Sequence, residues 1–197
     1  EAANGLTRAA MASIKGDVDR FGEQGILAHS GTYRAAASSI GLASLERYEA
    51  FLAAAGLSYR RLSATELEEE LGTRFYQAGL YSPDCYLAQP AAVIRALAIG
   101  LPSTVALYEH SQVVGLDRVP GKWRVLTPKG AITTDKVVLA NNAFAARLGF
   151  ARRQLASVYT YAGLTPRLPE SVLDTLGTNE DWGLLPTHRL GSTLRRT

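Results

Sequence analysis

The sequence contains a single cysteine, Cys85, among its 197 residues, so it cannot form an internal disulfide. Proteins without disulfides are typical of reducing compartments, which predicts a cytoplasmic location. No histidine stands near Cys85 in the sequence, and a packed thiol is therefore favoured over a catalytic one. The scarcity of cysteine excludes a disulfide-stabilised fold and gives little support to thiol catalysis.

A strong excess of one charge is also missing, since 21 Lys and Arg oppose 18 Asp and Glu for a formal net charge of +3. Adjacent basic residues occur only as pairs, at Arg60-Arg61, Arg152-Arg153 and Arg195-Arg196. A nucleic-acid surface needs a denser basic stripe with interleaved aromatic residues. The charge pattern therefore predicts a solvated surface and no nucleic-acid partner.

Long apolar runs and metal-binding motifs are absent as well. No segment approaches the roughly 18 consecutive apolar residues of a membrane span, and no signal peptide is visible, so we expect no membrane association. His29, His110 and His188 show no ligand spacing, which predicts no metal site. Hydrophobic residues nevertheless make up 47% of the chain and charged residues 20%, a composition that can build a core.

Helix signals recur through the first hundred residues. Apolar spacing predicts a helix over 2–21, and Ser44 is predicted to cap a second helix that ends near Ala55, before Gly56. Ser63 and Glu66 form a capping box for a third helix, whose run of glutamates is interpreted as a solvated face. Pro90 begins a fourth helix that ends at Gly100.

Strand signals lie between and after these helices. Residues 25–37 predict a strand interrupted at His29-Ser30-Gly31, and a three-stranded meander is centred on Trp123 and a Pro128-Lys129-Gly130 turn. Val137-Val138-Leu139-Ala140 is continuously apolar, as expected of a strand buried on both faces. Further strands are predicted at 104–109, 112–117, 158–164, 181–186 and 190–196, the last two as a hairpin. The mixture predicts an α+β fold.

The order of these segments resembles that of D-amino-acid-oxidase-type flavoproteins, a superfamily that includes glycine and sarcosine oxidases. Their acidic-x-apolar-apolar-x-Ala-x-Gly turn is matched here, with Asn in place of the last Gly, by Asp135, Val137, Val138, Ala140 and Asn142. The order of a helix, the segment HSGTYRAAASS, a second helix and then the capped acidic helix resembles the γ-glutamylputrescine oxidase branch. The resemblance covers essentially the whole chain.

The resemblance implies an enzyme that oxidises a C–N bond of an amine or amino acid and transfers a hydride to the flavin of FAD. It implies a mixed-sheet substrate domain with helices, in residues 1–100 and 151–197, plus the β-meander portion of a Rossmann-like FAD-binding domain in residues 101–150. The FAD-contacting residues implied by the resemblance are Val113, Val114, Ala140, Asn141 and Asn142. Val113 is equally consistent with an ordinary core position.

Substrate contacts are expected from the strands of the substrate domain. By resemblance Arg195 is a candidate for binding a carboxylate near the flavin, although an exposed strand arginine is at least as consistent with the pattern. His29, Tyr33, Tyr159 and Tyr161 are expected to face the same cavity, with His29 more consistent with a hydrogen-bonded structural residue than with a base. The residues do not identify a catalytic group, and they do not distinguish an amine from an N-methyl amino acid, glycine or a D-amino acid.

One feature of the family is missing from the sequence. FAD enzymes of this fold hold the diphosphate with a G-x-G-x-x-G turn, and the chain contains no such motif. The chain also starts without Met and stops within a strand-like pattern, so we expect an internal fragment that cannot bind FAD tightly or turn over alone. A non-enzymatic binding module derived from such a flavoprotein is the alternative. Exposed sheet edges predict self-association in either case.

Overall fold

The structure is a computed structural model that describes residues 2–188 and 191–197. The chain divides into two compact units, Glu1–Pro102 with Pro166–Thr197 (the first unit) and Ser103–Thr165 (the second unit). The helices are α1 Ala2–Phe21, α2 Ser39–Ala54, α3 Ala64–Leu71, α4 Pro90–Ile99 and α5 Glu170–Leu173, with a 3-10 helix at Asn142–Leu148. The strands are β1 Leu27–Ala28, β2 Thr32–Ala36, β3 Arg60–Ser63, β4 Ala78–Ser82, β5 Leu87–Ala88, β6 Gly115–Val119, β7 Lys122–Thr127, β8 Gly130–Thr134, β9 Trp182–Pro186 and β10 Leu194–Arg196.

The first unit is built on a five-stranded mixed sheet in the order β10-β9-β2-β4-β3. The strand β2 lies at the centre, antiparallel to β4 and parallel to β9, while β3 and β10 form the two edges. The short strands β1 and β5 pair separately, beside the contact between α1 and α4. This mixed α+β architecture confirms the predicted fold class.

Side chains alternate across the central sheet and divide its core in two. Tyr33 and Ala35 point to one face, which we call the α3 face, where they pack with Leu67 and Leu71 of α3. Ala36 points to the opposite, or α2, face and packs with Leu45 of α2. A residue's position along a strand therefore decides which of two separate cores it joins.

The second unit contains an antiparallel meander, β6-β7-β8, closed by tight turns. Gly121 at the β6–β7 turn has a φ of 72°, which a glycine adopts without strain. Trp123 carries the Arg118 guanidinium over its ring and contacts the Phe150 ring at its edge. The predicted meander is confirmed.

Helix boundaries agree with the sequence at most ends. The helix over 2–21, the capping box of Ser63 with Glu66, and the start at Pro90 are confirmed. The prediction for α2 was wrong, because Ser38 caps the helix by accepting a hydrogen bond from the Gly41 amide, six residues before Ser44. Residues 39–43, which precede Ser44, already belong to the helix.

Several predicted strands are not formed. The strand over 25–37 is split, since Gly31 adopts a φ of 68° and β1 and β2 join different sheets. Residues 104–109, 137–140 and 158–164 carry no regular strand, and Val138 is 87% exposed. An apolar run becomes a buried strand only where neighbouring strands supply its hydrogen bonds. The hairpin of β9 with β10 is confirmed, although residue 190 of the predicted second arm lies outside the described residues.

Candidate functional site

The hydroxyl of Tyr33 lies at the centre of a polar network on the α3 face. Tyr33 is 2% exposed, and its ring packs against that of Tyr81 with 4.9 Å between centroids. The hydroxyl donates to Glu70 Oε2 at 2.6 Å and accepts a hydrogen bond from Asn179 Nδ2 at 2.6 Å. Both hydrogen-bonding capacities of a buried phenol are thus used, which fixes the direction of the hydroxyl group.

Glu70 connects Tyr33 to the sheet edge at β3. Its carboxylate receives two bonds from the Arg60 guanidinium, at 2.7 Å between Nη1 and Oε1 and 3.0 Å between Nη2 and Oε2. Such two-point contact between an arginine and a carboxylate is strong and directional. Burial would raise the pKa of Glu70, but hydrogen bonds from Arg60 and Tyr33 outweigh it, so the pKa lies below its usual value. Glu70 is therefore ionised at neutral pH.

A loop at residues 176–179 closes the other side of Tyr33. The Thr178 and Asn179 amides donate to the carbonyls of Glu69 and Glu70 at 3.0 and 3.3 Å. The loop approaches α3 so closely that a Cβ atom at Gly177 would lie 2.6 Å from the Glu70 carbonyl carbon. Arg196, on the edge strand β10, donates to the carbonyls of Leu176 at 2.9 Å and Asn179 at 2.8 Å.

These groups line an open cleft of about 480 Å³ on the α3 face. The lining residues are Tyr33, Arg60, Glu66, Glu69, Glu70, Tyr81, Thr178 and Asn179. Burial and the hydrogen bond to Glu70 raise the pKa of Tyr33 well above its ordinary value, so the phenol stays protonated at neutral pH. Tyr33 can therefore orient a polar group or donate a hydrogen bond, but it is not arranged to act as a general base.

Of the predicted substrate residues, Tyr33, His29 and Arg195 lie in the first unit. His29 is exposed and stacks on Tyr86 with 4.7 Å between ring centroids. Arg195 is exposed and donates to the Ala88 carbonyl of β5. Leu194 and Arg196 pair with Leu184 and Trp182, whose side chains belong to the α3-face core. Arg195 lies between them and pairs with Gly183, so strand alternation directs it to the α2 face.

Tyr33 and Arg195 thus lie on opposite faces of the same sheet and do not face one cavity. Tyr161 and Tyr159 belong to the second unit, where they are 98% and 83% exposed and outside regular structure. The expectation of a shared cavity is corrected for the Tyr33–Arg195 pair by strand alternation. A substrate-binding role for each residue taken singly stays a prediction.

All the predicted FAD-contacting residues lie in the second unit. Val113 and Val114 immediately precede β6, and the Val114 amide donates to the Leu126 carbonyl at 2.9 Å. Ala140 and Asn141 are exposed, at the end of a segment without regular structure. Asn142 adopts a φ of 52°, so the left-handed turn expected where the family has glycine is formed by an asparagine. Their contact with FAD stays a prediction.

One element of an FAD site, the glycine-rich turn that binds the diphosphate, has no counterpart in the sequence. The diphosphate of a dinucleotide needs a glycine turn and a free helix N-terminus. No G-x-G-x-x-G turn occurs anywhere in the sequence. In the described part of the chain, the Gly41 amide of α2 and the Glu66 amide of α3 donate to the Ser38 and Ser63 side chains, whereas α4 begins at Pro90 without a side-chain cap. The second unit contributes only the 3-10 helix that begins at Asn142 among its described residues.

Other candidate sites gain no support from the geometry. Burial raises the pKa of the Cys85 thiol, which keeps it protonated at neutral pH. Within residues 2–188 and 191–197, no group of three or more His, Cys, Asp or Glu side chains is arranged to hold a metal ion. No described helix combines the length and apolar character that a membrane crossing requires.

Most of the network around Tyr33 was not predicted from the sequence. The glutamate run that contains Glu70 is typical of a solvated face, but the Glu70 side chain is only 18% exposed and binds Tyr33 and Arg60. One signal was available, because Glu70 follows the cap at Ser63 by two helical turns and shares a helix face with Glu66. No local signal indicated Asn179, whose contact with Tyr33 spans 146 residues.

Comparison with known proteins places the chain in a family. A family model described as FAD dependent oxidoreductase matches residues 2–194. No curated protein shows significant similarity to the chain. Among solved structures, glycine oxidase from Geobacillus kaustophilus is similar with 26% sequence identity and a TM-score of 0.61, over 77% of this chain and 42% of that chain.

Two further structures share the fold. Glycine oxidase from Bacillus cereus has 20% identity and a TM-score of 0.58, over 73% of this chain and 41% of that chain. L-proline dehydrogenase from P. horikoshii has 20% identity and a TM-score of 0.54, over 68% and 37%. The chain spans about two fifths of the length of these proteins. Because the family model matches almost every residue, the chain belongs to the FAD-dependent oxidoreductase family.

Proposed function

We propose that this chain is part of a longer protein (the parent protein) that oxidises a C–N bond of an amine or amino acid with FAD as the electron acceptor. The observation that carries the proposal is the family match over residues 2–194. The 26% identity with a structure named glycine oxidase supports an amino acid as the substrate class. The order of a helix, HSGTYRAAASS, a second helix and the capped acidic helix supports the γ-glutamylputrescine oxidase branch, and with it an amine, as the alternative substrate class.

Within the parent protein, the first unit is proposed as the substrate-binding part and the second unit as part of the FAD-binding domain. Arg195 is exposed and has no carboxylate partner among the described residues, which supports binding of a substrate carboxylate. His29, Tyr33 and Tyr161 are the other proposed substrate contacts. Val113, Val114, Ala140, Asn141 and Asn142 are the proposed FAD contacts.

We propose further that the 197-residue chain does not retain FAD, because it lacks the diphosphate-binding turn. The test is a visible absorbance spectrum of the purified chain after incubation with FAD and removal of unbound ligand. A colourless protein is the expected result. Flavin bands that stay with the protein at one equivalent would show that the cofactor site is present and would overturn this part of the proposal.

The reaction itself is tested on a chain extended at both ends to the length of the solved relatives. The extended protein is mixed anaerobically with glycine, sarcosine, a D-amino acid, L-proline and a primary diamine, and bleaching of the flavin absorbance is measured. Reduction by an amino acid or an amine is expected. An Arg195→Lys variant should lose affinity for substrates with a carboxylate and leave reduction by the diamine unchanged. A flavoprotein reduced by none of the panel would contradict the proposal.

Self-association is proposed for the chain on its own. Many apolar side chains of the second unit are exposed, including Val138, Val158 and Leu164 at 87%, 85% and 99%. Exposed apolar surface of this kind tends to be covered by association. Light scattering over a range of protein concentrations is expected to give a mass that rises above that of one chain. A constant mass of one chain at high concentration would contradict it.

A further inference from the structure

The two edge strands of the central sheet each carry an Arg-Arg pair, Arg60-Arg61 on β3 and Arg195-Arg196 on β10. Adjacent residues of a strand point to opposite faces, so each pair sends one guanidinium to each face. On β3, Arg61 pairs with Glu49 of α2, while Arg60 binds Glu70 of α3. On β10, Arg195 takes the α2 face and Arg196 the α3 face, as the pairing with β9 requires.

Arg60 and Arg196 therefore lie on the α3 face at opposite edges of the sheet, and each is connected by hydrogen bonds to Tyr33 on the central strand. Arg60 reaches the Tyr33 hydroxyl through the Glu70 carboxylate, the acceptor of the hydroxyl proton. Arg196 reaches it through Asn179, whose carbonyl accepts from Arg196 at 2.8 Å and whose side-chain amide donates to the Tyr33 oxygen at 2.6 Å. The two chains of hydrogen bonds meet at one atom.

Arg196 is half-buried and binds the backbone of a single loop. Its Nη1 atom donates to three backbone carbonyls of one loop, Leu176 at 2.9 Å, Gly177 at 3.5 Å and Asn179 at 2.8 Å, and no described carboxylate pairs with it. A guanidinium that binds several carbonyls of one loop fixes the shape of that loop. Asn179 is the last residue of this loop and the one that contacts Tyr33.

We propose that Arg196 is a positioning residue that directs the Tyr33 hydroxyl by holding Asn179. With Asn179 fixed as a donor, the Tyr33 proton can point only to Glu70, so the phenol presents a single defined hydrogen-bond direction in the cleft. Arg195 has no part in this arrangement, because it points to the opposite face. The role of Arg196 does not depend on the reaction that the parent protein catalyses.

The test uses the 197-residue chain labelled with carbon-13 at the tyrosine Cζ atoms, whose NMR shift responds to hydrogen bonds at the hydroxyl. Tyr33→Phe identifies the Tyr33 signal among those of the nine tyrosines. We expect Arg196→Lys and Asn179→Ala to move this signal in the same direction. We expect the double variant to move it no further than Asn179→Ala, because a residue that acts through another gives non-additive effects. The matched control, Arg195→Lys, should leave the signal in place.

Three outcomes would overturn the proposal. In the first, the Tyr33 signal stays in place in Arg196→Lys although it moves in Asn179→Ala. In the second, the two shifts add in the double variant. In the third, Arg195→Lys moves the signal as much as Arg196→Lys does. The first outcome would leave Arg196 with a purely structural role. Arg196→Gln, which keeps an amide donor, is measured in parallel and replaces Arg196→Lys if that variant does not fold. Its Tyr33 Cζ shift is expected to lie between that of the wild type and that of Asn179→Ala.

Discussion

The two units of the chain differ in how much of their apolar surface is covered. Fifteen of the sixteen buried apolar residues among those described belong to the first unit, and Ala145 is the exception in the second. Both units contain apolar segments of similar character in the sequence. In the first unit these segments pack between the five-stranded sheet and helices α2 and α3 or between α1 and α4, whereas the described elements of the second unit are a three-stranded meander and a short 3-10 helix. Burial depends on neighbouring elements and not on the apolar character of a segment alone.

Truncation of a core leucine should show the difference in burial between the two units most clearly. Leu67 is fully buried on the α3 face, and Leu67→Ala is expected to destabilise the first unit by about 2–5 kcal/mol. Each unit contains one tryptophan, Trp182 in the first and Trp123 in the second. Urea unfolding followed by fluorescence in Trp123→Phe and Trp182→Phe backgrounds therefore reports each unit separately. The shift is expected only in the signal of Trp182.

The control for this substitution is Val138→Ala in the second unit. Val138 is 87% exposed, so its truncation should change stability by no more than about 0.5 kcal/mol. A cost for Val138→Ala comparable with that of Leu67→Ala would show that the second unit buries this residue in solution, and the contrast between the units would fail.

A pair of glycines tests the close packing of the loop at residues 176–179. Gly177 and Gly121 have φ angles of 75° and 72°, so an alanine at either position costs roughly 1 kcal/mol of backbone strain. A Cβ atom at Gly177 would also lie 2.6 Å from the backbone of α3, while a Cβ atom at Gly121 meets nothing within 4 Å. Gly177→Ala is expected to cost about 1–3 kcal/mol more than Gly121→Ala in urea unfolding. Equal destabilisation by the two substitutions would mean that the loop moves away from α3 without a cost in stability.

Removal of one hydroxyl group compares a buried tyrosine with an exposed one. Tyr33→Phe removes the acceptor of the Asn179 side chain and leaves Glu70 with Arg60 as its donor, and a destabilisation of about 1–2 kcal/mol is expected. Tyr161→Phe in the second unit removes a hydroxyl from a side chain that is 98% exposed, so its stability should match that of the wild type. Thermal unfolding by circular dichroism measures both. A neutral Tyr33→Phe would argue against an ordered network.

Acid should weaken the first unit through Glu70. Its pKa is lowered in the folded state from the ordinary value of 4.5, by bonds from Arg60 and Tyr33 that overcome the effect of burial. A lowered pKa contributes stability that is complete above the unfolded-state pKa and is lost as the pH falls through the folded-state pKa. The unfolding transition reported by Trp182 is therefore expected to move to lower urea concentration as the pH drops below the pKa of the carboxyl in the unfolded state. Glu70→Gln should make the midpoint of this transition depend less on pH. An unchanged slope in Glu70→Gln would assign the effect to other carboxylates.

The sequence predicted local features well and long-range ones poorly. The capping box of Ser63, the helix start at Pro90 and the Pro128-Lys129-Gly130 turn depend on residues a few positions apart, and these predictions are confirmed. The face to which Arg195 points depends on its register with Gly183, and the partner of Tyr33 in the loop at residues 176–179 depends on a contact across 146 residues. Neither leaves a local pattern. The apolar run at 137–140 predicted a buried strand because a single sequence does not reveal which partner strands are present.

The smallest expected effect concerns a helix cap, where the sequence and the structure disagree. The Ser38 hydroxyl accepts from the Gly41 amide at 3.2 Å, so Ser38→Ala should destabilise the first unit by about 1 kcal/mol. Ser44 lies inside α2, where it accepts a bond from Arg47 at the surface, and Ser44→Ala should be neutral because alanine favours helices. Urea unfolding followed by Trp182 fluorescence measures both variants. If Ser44→Ala costs more than Ser38→Ala, the helix begins where the sequence predicted, and the start of α2 at Ser39 is wrong.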